Sequence, residues 1–256
     1  MSYDKTFTDA VQFVWGAGFL SPGGAGAVAA LLRGQDIAGA TVLDIGSGLG
    51  GMDLILARDH GAGHVTGIDI DPWLVEQARG LAAAQGLADR VAFTAVQPGP
   101  LAFADGSFDV VVSKDAMIHI ADKPAIYAEV RRVLRAGGRF LSSDWLFAPG
   151  AIRSPEIVAW VGKNPLDFNF TTPKEVLQAL TGAGFADAWV TDDSAAIEAV
   201  FQGEVARLNE IPQAQLVALL GEEQAAMRPE FARLRLAAVR ARQLQPCLVG
   251  GVKVGF

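Results

Sequence analysis

A short apolar segment that ends in a run of glycines constrains this chain more than any other feature. Residues 41–45 read Thr-Val-Leu-Asp-Ile, and residues 46–51 read Gly-Ser-Gly-Leu-Gly-Gly. Val42, Leu43 and Ile45 predict a buried strand, and the glycines permit a sharp turn into a helix whose first amide groups point outward. The segment therefore predicts a strand, a turn and a helix, with a ligand site at the turn.

Two acidic residues bear on which ligand suits this turn. Gly46, Gly48 and Gly51 match the spacing of a dinucleotide site, which alone is weak evidence. Asp69 ends a second strand about twenty residues further on, where a carboxylate can hold ribose hydroxyls in either kind of site. Asp44 directly precedes Ile45 and the first glycine, where a carboxylate is unfavourable beside a pyrophosphate and favourable beside a cation. A cationic ligand is thus favoured, and a dinucleotide remains the alternative.

The rest of the chain alternates between strand and helix patterns. Further strands are predicted at residues 64–69, 90–94, 108–112, 139–143, 189–191 and 247–254. Strands that alternate with helices predict an α/β fold with a doubly wound sheet and helices on both faces. The ligand site of such a sheet lies beyond the carboxyl ends of its strands, where Asp44 and Asp69 converge.

Helical additions are predicted around this sheet, all within one domain. Residues 6–15 form an amphipathic stripe, and Ser21 and Pro22 predict the N-cap and first turn of a second helix. Aromatic residues and prolines after residue 145, and a long helical stretch after residue 193, predict coverings of a pocket. The expected units are a lid over 1–34 and substrate caps over 145–171 and 193–245.

The composition bears on partners and compartment. The net charge is −7, with 21 Lys and Arg against 28 Asp and Glu, so neither nucleic acid nor an anionic membrane is an expected partner. A single cysteine, Cys247, fits a reducing compartment, and we expect a cytoplasmic protein that acts on a small molecule. The three histidines, His60, His64 and His119, are not spaced as metal ligands, so no metal is predicted. The oligomeric state is left open.

Residues 42–146 resemble the class I S-adenosylmethionine methyltransferases. The likeness runs through the glycine motif, Gly67-Ile68-Asp69-Ile70, and the segments 108–112 and 133–140. It implies a Rossmann-like seven-stranded sheet with an antiparallel last strand, and S-adenosyl-L-methionine as cofactor. The cofactor contacts that it implies are Asp44, Gly46, Ser47, Gly48, Asp69, Ile70, Gln97, Pro98, Ser113 and Lys114.

A narrower resemblance is to amine methyltransferases of the phosphoethanolamine and sarcosine/dimethylglycine type, through residues 13–24 and 113–120. In the phosphoethanolamine enzymes a tyrosine and a histidine form a catalytic pair, which alignment puts at Tyr3 and His119. An imidazole suits proton removal near neutral pH, and Asp115 could orient His119 or the substrate. A histidine that only bonds the backbone, and a tyrosine that only packs, remain alternatives.

Three positions depart from the phosphoethanolamine pattern. Val11, Trp145 and Trp160 stand where those enzymes line a phosphate with tyrosines and basic residues, which argues against a phosphorylated acceptor. Trp145 and Trp160 could instead form an aromatic wall for an alkylammonium, as substrate-binding residues.

Five arginines, at positions 228, 233, 235, 240 and 242, accompany an apolar helix side in the last addition. A solvated helix face is the expectation for them. We predict methyl transfer to the nitrogen of a small-molecule acceptor. The alternatives are O- or C-methylation of an apolar metabolite, an NAD-dependent oxidoreductase, and a non-catalytic relative that binds the cofactor.

Overall fold

In the computed structural model, which describes residues 3–151, 153–162 and 167–255, seven strands form one sheet. The strands are β1 (Thr41–Ile45), β2 (His64–Asp69), β3 (Val91–Ala95), β4 (Phe108–Lys114), β5 (Leu134–Phe147), β6 (Ala186–Asp192) and β7 (Leu244–Val252). Their order is β3-β2-β1-β4-β5-β7-β6, and β7 runs antiparallel to both of its neighbours while β1 to β5 pair in parallel. The predicted doubly wound, seven-stranded sheet with an antiparallel last strand is confirmed.

Helices precede the sheet, cover its two faces and fill the long connection before β7. They are α1 (Lys5–Trp15), α2 (Gly24–Leu31), α3 (Gly51–Arg58), α4 (Pro72–Ala84), α5 (Lys123–Val133), α6 (Pro155–Gly162), α7 (Pro173–Gly182), α8 (Ser194–Glu210) and α9 (Gln213–Arg240). A single 3-10 turn, Met117–His119, follows β4.

The strands sort their side chains between two apolar layers. Val42 of β1 and Val112 of β4 pack with α2, α3 and α4, whereas Leu43 of β1 and Val111 of β4 pack with α5 and α7. Successive side chains of a strand point to opposite faces, so one continuously apolar strand supplies both layers. This burial on both faces fixes the position of the strand ends that carry the predicted site.

Two helices start at capping residues that the sequence itself indicates, Asp71 directly before Pro72 and Thr172 three residues before Glu175. The Asp71 carboxylate accepts hydrogen bonds from the backbone N–H of Trp73 and Leu74 at the start of α4. Thr172 and Glu175 form the reciprocal capping box of α7. In each case a side-chain oxygen satisfies amide groups that the helix itself leaves unpaired.

The predicted start of the second helix at Ser21 and Pro22 is wrong. Helix α2 begins at Gly24, and its N-cap is Gly23, with φ of 94°. The Ser21 hydroxyl and the Pro22 carbonyl oxygen accept hydrogen bonds from Nζ of Lys114, at 2.6 and 2.8 Å. Because its hydroxyl is bound to a lysine at the end of β4, Ser21 does not cap the helix.

Pairing between β5 and β7 shortens both predicted coverings, the first at its beginning and the second at its end. Strand β5 continues to Phe147, because β7 pairs with it along its whole second half, so Trp145 belongs to the sheet rather than to an irregular segment. The predicted covering at 193–245 overlaps the first residues of β7. The backbone N–H of Asp193 bonds to the carbonyl oxygen of Pro246 at 2.9 Å, so the chain leaves β6 and enters β7 at neighbouring points.

Candidate functional site

The glycine turn, defined as residues 46–51, is held by β2. Gly46 and Gly48 have φ of 80° and 55°, the left-handed region that favours glycine. The backbone N–H groups of Gly46 and Ser47 both donate to the carbonyl oxygen of Ile68, at 2.8 and 3.0 Å. A Cβ on Gly46 would lie 2.3 Å from Cβ of Ala116. The missing side chain at this position therefore makes room for the chain after β4 rather than for a ligand.

Asp69 closes the crevice at the end of β2. Its carboxylate accepts hydrogen bonds from the backbone N–H of Gly48 at 2.9 Å and of Asp71 at 3.0 Å. Burial nevertheless raises the pKa of this carboxyl group. Ile70, directly beside it, is apolar and 63% exposed. Asp69, Gly48 and Ile70, three of the predicted cofactor contacts, thus lie next to one another.

The loop after β3 borders the same crevice. Val96 donates its backbone N–H to the carbonyl oxygen of Asp69 at 2.9 Å. Gln97 and Pro98, which follow it, are exposed to solvent. Both predicted contacts therefore stand at the crevice edge with free side chains.

Two further predicted cofactor contacts have their side chains bound to protein. Ser113 is buried in the sheet, where its Oγ donates to the carbonyl oxygen of Ile45 at 2.8 Å. Lys114 is bound to the segment of Ser21 and Pro22 and also to Asp115, at 2.8 Å. These two side chains fix the neighbouring loops against each other.

Asp44 meets a partner that the sequence reading missed. Asp44 in β1 and Asp53 in the first turn of α3 are buried beside each other, and the carboxyl oxygens of Asp53 have no hydrogen-bond partner among the described residues. Burial raises the pKa of both groups, and that of Asp53 rises further because the charge on Asp44 opposes its ionisation. Asp44 is therefore the partner that ionises first, and Asp53 keeps its proton to higher pH.

Asp44 does not brace the glycine turn, because the backbone N–H groups of Gly46 and Ser47 donate to Ile68 and that of Gly48 donates to Asp69. Oδ1 of Asp44 and Oγ of Ser47 are buried without a partner among the described residues. Unpartnered acceptors next to the start of α3 suit a ligand with cationic or hydrogen-bonding groups and oppose a pyrophosphate.

A cavity of about 100 Å³ lies beside the glycine turn and is called the acceptor cavity below. It is bounded by α1 and the segment after it, the chain after β4, the end of β5, α6, α8 and α9. Its lining residues are Tyr3, Phe7, Val14, Trp15, Leu20, Ser21, Pro22, Asp115, Ile118, His119, Trp145, Trp160, Phe168, Glu204, Met227, Arg228, Phe231 and Arg235.

His119 faces this cavity from the 3-10 turn after β4. Its Nδ1 lies 2.8 Å from the carbonyl oxygen of Asp167. A carbonyl oxygen only accepts hydrogen bonds, so Nδ1 carries the hydrogen and Nε2 keeps its lone pair. Burial is the largest influence on the imidazole and lowers its pKa. His119 is therefore neutral near pH 7, with one nitrogen able to take a proton.

A buried lysine holds the turn that carries His119. Nζ of Lys123 donates to the carbonyl oxygens of Met117 and Ile120, each at 2.7 Å. The side-chain amide of Asn169 donates to the carbonyl oxygen of His119 at 3.1 Å. Sequence reasoning missed Lys123, because a lysine at a helix start gives no sign that it will fold inward.

Tyr3 lies at the mouth of the acceptor cavity. Its backbone N–H donates to the Asp71 carboxylate at 3.1 Å, and its ring meets that of Phe7 edge to face, with centroids 5.6 Å apart. Burial first, and then the charges of Asp69 and Asp71, raise the pKa of its phenol. Tyr3 is therefore a neutral hydrogen-bonding group, brought to the same cavity as His119.

Asp115 has a different role from the expected one toward His119. It adopts φ of 56°, forms an ion pair with Lys114 and accepts a hydrogen bond from Oγ of Ser143 at 3.1 Å. The orienting partner of His119 is the carbonyl of Asp167, not this carboxylate. Asp115 still lines the acceptor cavity, where it can meet a ligand.

The two predicted wall tryptophans lie side by side. The rings of Trp145 and Trp160 stack with centroids 5.3 Å apart, and Phe168 continues the stack from Trp160 to His119 at 5.0 and 5.3 Å. The guanidinium of Arg235 already lies over the Trp145 ring, 5.6 Å from its centroid. The aromatic wall thus holds one cation of the protein itself.

The expected solvated arginine face of α9 is wrong for two of its members. Arg228 and Arg235 are buried and line the acceptor cavity, while Arg233, Arg240 and Arg242 are exposed. Helix α9 is enclosed by α1, α6 and α8, so part of its polar side also faces protein. An amphipathic pattern locates the apolar side of a helix but does not reveal how much of the other side is covered.

Glu204 of α8 is a second charged residue of the cavity that the sequence reading missed. Its carboxylate accepts hydrogen bonds from a guanidinium nitrogen of Arg235 and from Nε1 of Trp15, the latter at 3.1 Å. Three elements of the chain, α1, α8 and α9, therefore meet at one carboxylate. No sequence spacing links these residues, which are far apart along the chain.

Within residues 3–151, 153–162 and 167–255, no three His, Cys, Asp or Glu side chains come together as a metal site. None of the helices in that described part of the chain is long and apolar enough to span a bilayer.

Comparison with known proteins identifies what this chain is similar to. A family model described as a methyltransferase domain matches residues 37–160. A phosphoethanolamine N-methyltransferase of Triticum aestivum is 34% identical over 216 residues, which are 80% of this chain and 41% of that protein. The chain thus spans about two fifths of the length of this relative.

Solved structures share the fold. Haemonchus contortus phosphoethanolamine N-methyltransferase 2, in complex with phosphomonomethylethanolamine and S-adenosylhomocysteine, has a TM-score of 0.89 at 22% identity, over 98% of this chain and 59% of that one. A Galdieria sulphuraria protein, described as a sarcosine dimethylglycine methyltransferase, has a TM-score of 0.73 at 20% identity, over 89% of this chain and 83% of that one. The matched methyltransferase domain and the 34% identical relative show that the chain belongs to the class I S-adenosylmethionine-dependent methyltransferases, whose fold the solved structures share.

Proposed function

We propose that this protein transfers a methyl group from S-adenosyl-L-methionine to the nitrogen of a small-molecule amine. The observation that carries the proposal is the state of His119. It is a neutral imidazole in the wall of the acceptor cavity, with Nδ1 bound to a backbone carbonyl and Nε2 left to accept a proton.

The crevice at the glycine turn is the proposed cofactor site. When bound, S-adenosyl-L-methionine supplies a methyl group on a cationic sulfur, which keeps the bonding electron pair as the methyl leaves. Asp69 would accept hydrogen bonds from the ribose hydroxyls, and Ile70 would cover an adenine face, with Gln97 and Pro98 at its edge. Asp44, with its proton-bearing partner Asp53, favours the positively charged end.

The acceptor nitrogen needs a free electron pair, and this is the proposed task of His119. An amine with a pKa near ~10.4 is protonated at pH 7, at a cost of about 4–5 kcal/mol for its neutral form. His119 Nε2 takes the proton that the nitrogen loses, while the stacked Phe168 and the Asp167 carbonyl hold the ring in place. Holding nitrogen and methyl carbon in line can contribute a further ~7–11 kcal/mol.

Helices α1 and α2 belong to the proposed lid, and α6, α8 and α9 belong to the proposed caps. Residues 1–34 would close over both ligands, since Tyr3 bonds Asp71 and the carbonyl oxygen of Gly18 accepts the backbone N–H of Gly51 at 3.0 Å. Helices α6, α8 and α9 complete the acceptor cavity from the other side. In this arrangement Tyr3 contacts an acceptor only when the lid is closed.

The alternatives differ in the cavity that they require. An apolar acceptor methylated at oxygen or carbon would favour a cavity without charges, whereas Glu204, Arg228 and Arg235 line this one. A nicotinamide dinucleotide is disfavoured by the carboxyl pair of Asp44 and Asp53 next to the start of α3. A polar amine is therefore the acceptor class that the cavity supports best.

The first test is calorimetric titration with S-adenosylhomocysteine, S-adenosyl-L-methionine and NAD in parallel. We expect binding of both adenosyl compounds and none of NAD. S-adenosylhomocysteine formation is then measured with short amines and with the alcohols of the same length. Methylation of amines alone supports the proposal, whereas turnover of the alcohols alone, or of neither set, would overturn it.

A further inference from the structure

Arg228 of α9 is a buried cation that is held in position but not neutralised. It is only 8% exposed, and its Nε donates to Oε1 of Gln224 at 2.9 Å. The ring of Phe7 supports the guanidinium, with the ring centroid 4.7 Å from Cζ. Nη2 is buried and has no hydrogen-bond partner in the described part of the chain. One edge and one face of the guanidinium are thus occupied, and its Nη atoms are left to a ligand.

Arg228 is the cation of the acceptor cavity that forms no ion pair in the described part of the chain. Glu204 is paired with Arg235, and Asp115 is paired with Lys114. Burial, together with the charge of Arg235, lowers the pKa of Arg228 to about 10, and the charge of Glu204, which is already paired with Arg235, raises it by less, so Arg228 is still protonated at neutral pH. His119 and Tyr3 are neutral. A buried cation without a partner is unfavourable, so an anion would complete this site.

We propose that the acceptor amine carries one carboxylate, which the Nη atoms of Arg228 bind. The proposal rests on the proposed function and assigns the second functional group of its acceptor, an amino carboxylic acid. One guanidinium matches one carboxylate in charge and in two-pronged geometry. A phosphate dianion calls for more charge and more hydrogen-bond donors than one guanidinium supplies. The Phe7 ring lies on the guanidinium of Arg228, and Met227 and Phe231, which precede and follow Arg228 on α9 and line the same cavity, are apolar and add no donors.

The cavity places the two proposed contacts on opposing elements. His119 enters from the turn after β4 and Arg228 from α9. A volume of about 100 Å³ holds roughly seven to ten water-sized groups, the scale of a short amino acid. Trp145 and Trp160 form the wall beside them, and their stacked rings supply an apolar surface for the carbon chain of the acceptor.

Binding tests the proposal without turnover. Protein saturated with S-adenosylhomocysteine is titrated with glycine, β-alanine and 4-aminobutyrate, with the carboxamide of each, and with O-phosphoethanolamine. We expect at least one carboxylate to bind roughly tenfold to hundredfold more tightly than its amide, the range for hydrogen bonds to a charged group. Arg228→Gln should remove that preference, and Arg233→Gln, an exposed arginine of the same helix, should retain it.

Three outcomes would overturn the proposal. They are the absence of carboxylate binding, a preference that survives in Arg228→Gln, and tighter Arg228-dependent binding of O-phosphoethanolamine than of any carboxylate. Arg228→Lys guards against an effect of misfolding, since it keeps the charge without the planar fork. We expect intermediate carboxylate affinity in this variant, and equal loss of carboxylate and carboxamide binding in both variants would also overturn the proposal.

Methyl transfer on the same panel separates this proposal from the proposed function. If the amides are methylated and the carboxylates are not, the carboxylate assignment fails while the methyltransferase activity stands. If carboxylates bind through Arg228 and no amine is methylated, the proposed function fails and the binding assignment stands. Methylation of carboxylates with a KM that rises only for them in Arg228→Gln supports both.

Discussion

The indole Nε1 of Trp15 lies 3.1 Å from Oε2 of Glu204 and donates a hydrogen bond to it, although the two residues are 189 positions apart. The same carboxylate pairs with Arg235, whose guanidinium also lies 5.1 Å from the centroid of the Trp15 ring. One buried carboxylate thus connects the N-terminal helix to the two helices that precede β7. The acceptor cavity depends on this connection, because all three residues line it.

Replacing Glu204 by Gln should destabilise the fold strongly, because Arg235 would stay buried without its counter-charge. The expected loss in free energy of unfolding is about 3–5 kcal/mol, measured by urea denaturation. Glu198→Gln is the matched control, since Glu198 also joins α8 to an arginine of α9 but forms its pair with Arg240 at the surface. That control should cost at most about 1 kcal/mol. Equal losses in the two variants would contradict the structural role of the buried pair.

His119→Ala should lower kcat by roughly 100-fold to 10,000-fold, the usual contribution of a general base. Affinity for S-adenosylhomocysteine should change little, because His119 lines the acceptor cavity and not the glycine turn. His64→Ala is the control, since His64 is exposed at the opposite end of β2. An unchanged kcat in His119→Ala, measured with a saturating amine, would show that the imidazole only bonds the backbone.

The rate should remain high at a lower pH than an ordinary histidine would allow. Burial lowers the pKa of His119 most, the hydrogen bond to the Asp167 carbonyl raises it by less, and the charge of Lys123 lowers it again. The neutral ring is the form that accepts the proton, so activity is lost only as pH falls through this lowered pKa. A profile of kcat at saturating amine should place the acidic limb below pH ~6.5. A limb above that value would contradict the assigned environment.

The two carboxyls beside the glycine turn should respond differently to amidation. Asp53 is the carboxyl that keeps its proton, and an amide is neutral like a protonated carboxyl group, so Asp53→Asn should change the affinity for S-adenosyl-L-methionine by no more than about threefold. Asp44→Asn removes the charge that faces a cationic ligand and should weaken binding by roughly tenfold or more. Calorimetric titration of both variants tests this contrast, and a larger effect in Asp53→Asn would reverse the assignment of the proton.

Local patterns in the sequence predicted the fold well because they report local forces. The alternation of apolar strands with helices, and the caps at Asp71 and Thr172, depend on residues that are near one another in the chain. The start at Ser21 failed because Lys114, from a distant strand, binds its hydroxyl. Likewise, the full length of β5 depends on pairing with β7, which no local pattern records.

The candidate site was predictable where a motif places a residue, and not where a tertiary contact does. Asp44 and Asp69 lie at the carboxyl ends of β1 and β2, and His119 follows β4, so the sheet places all three at one edge. The role of Arg228 depends on which side of α9 is covered, and an arginine on an amphipathic helix is usually solvated. Asp53 gave one usable signal, since an acid in the first turn after the glycines lies next to the end of β1.

The hydrogen bond between Asp193 and Pro246 joins the point where the chain leaves the sheet to the point where it re-enters the sheet. Helices α8 and α9 therefore form an appendage that is joined to the sheet at two adjacent points, and the strand order does not depend on the length of chain between those points. An exchange of residues 194–240 between related chains therefore needs to match the sheet at only two neighbouring connection points. Selection for a new acceptor can act on that appendage while the methyl-donor half of the protein stays as it is.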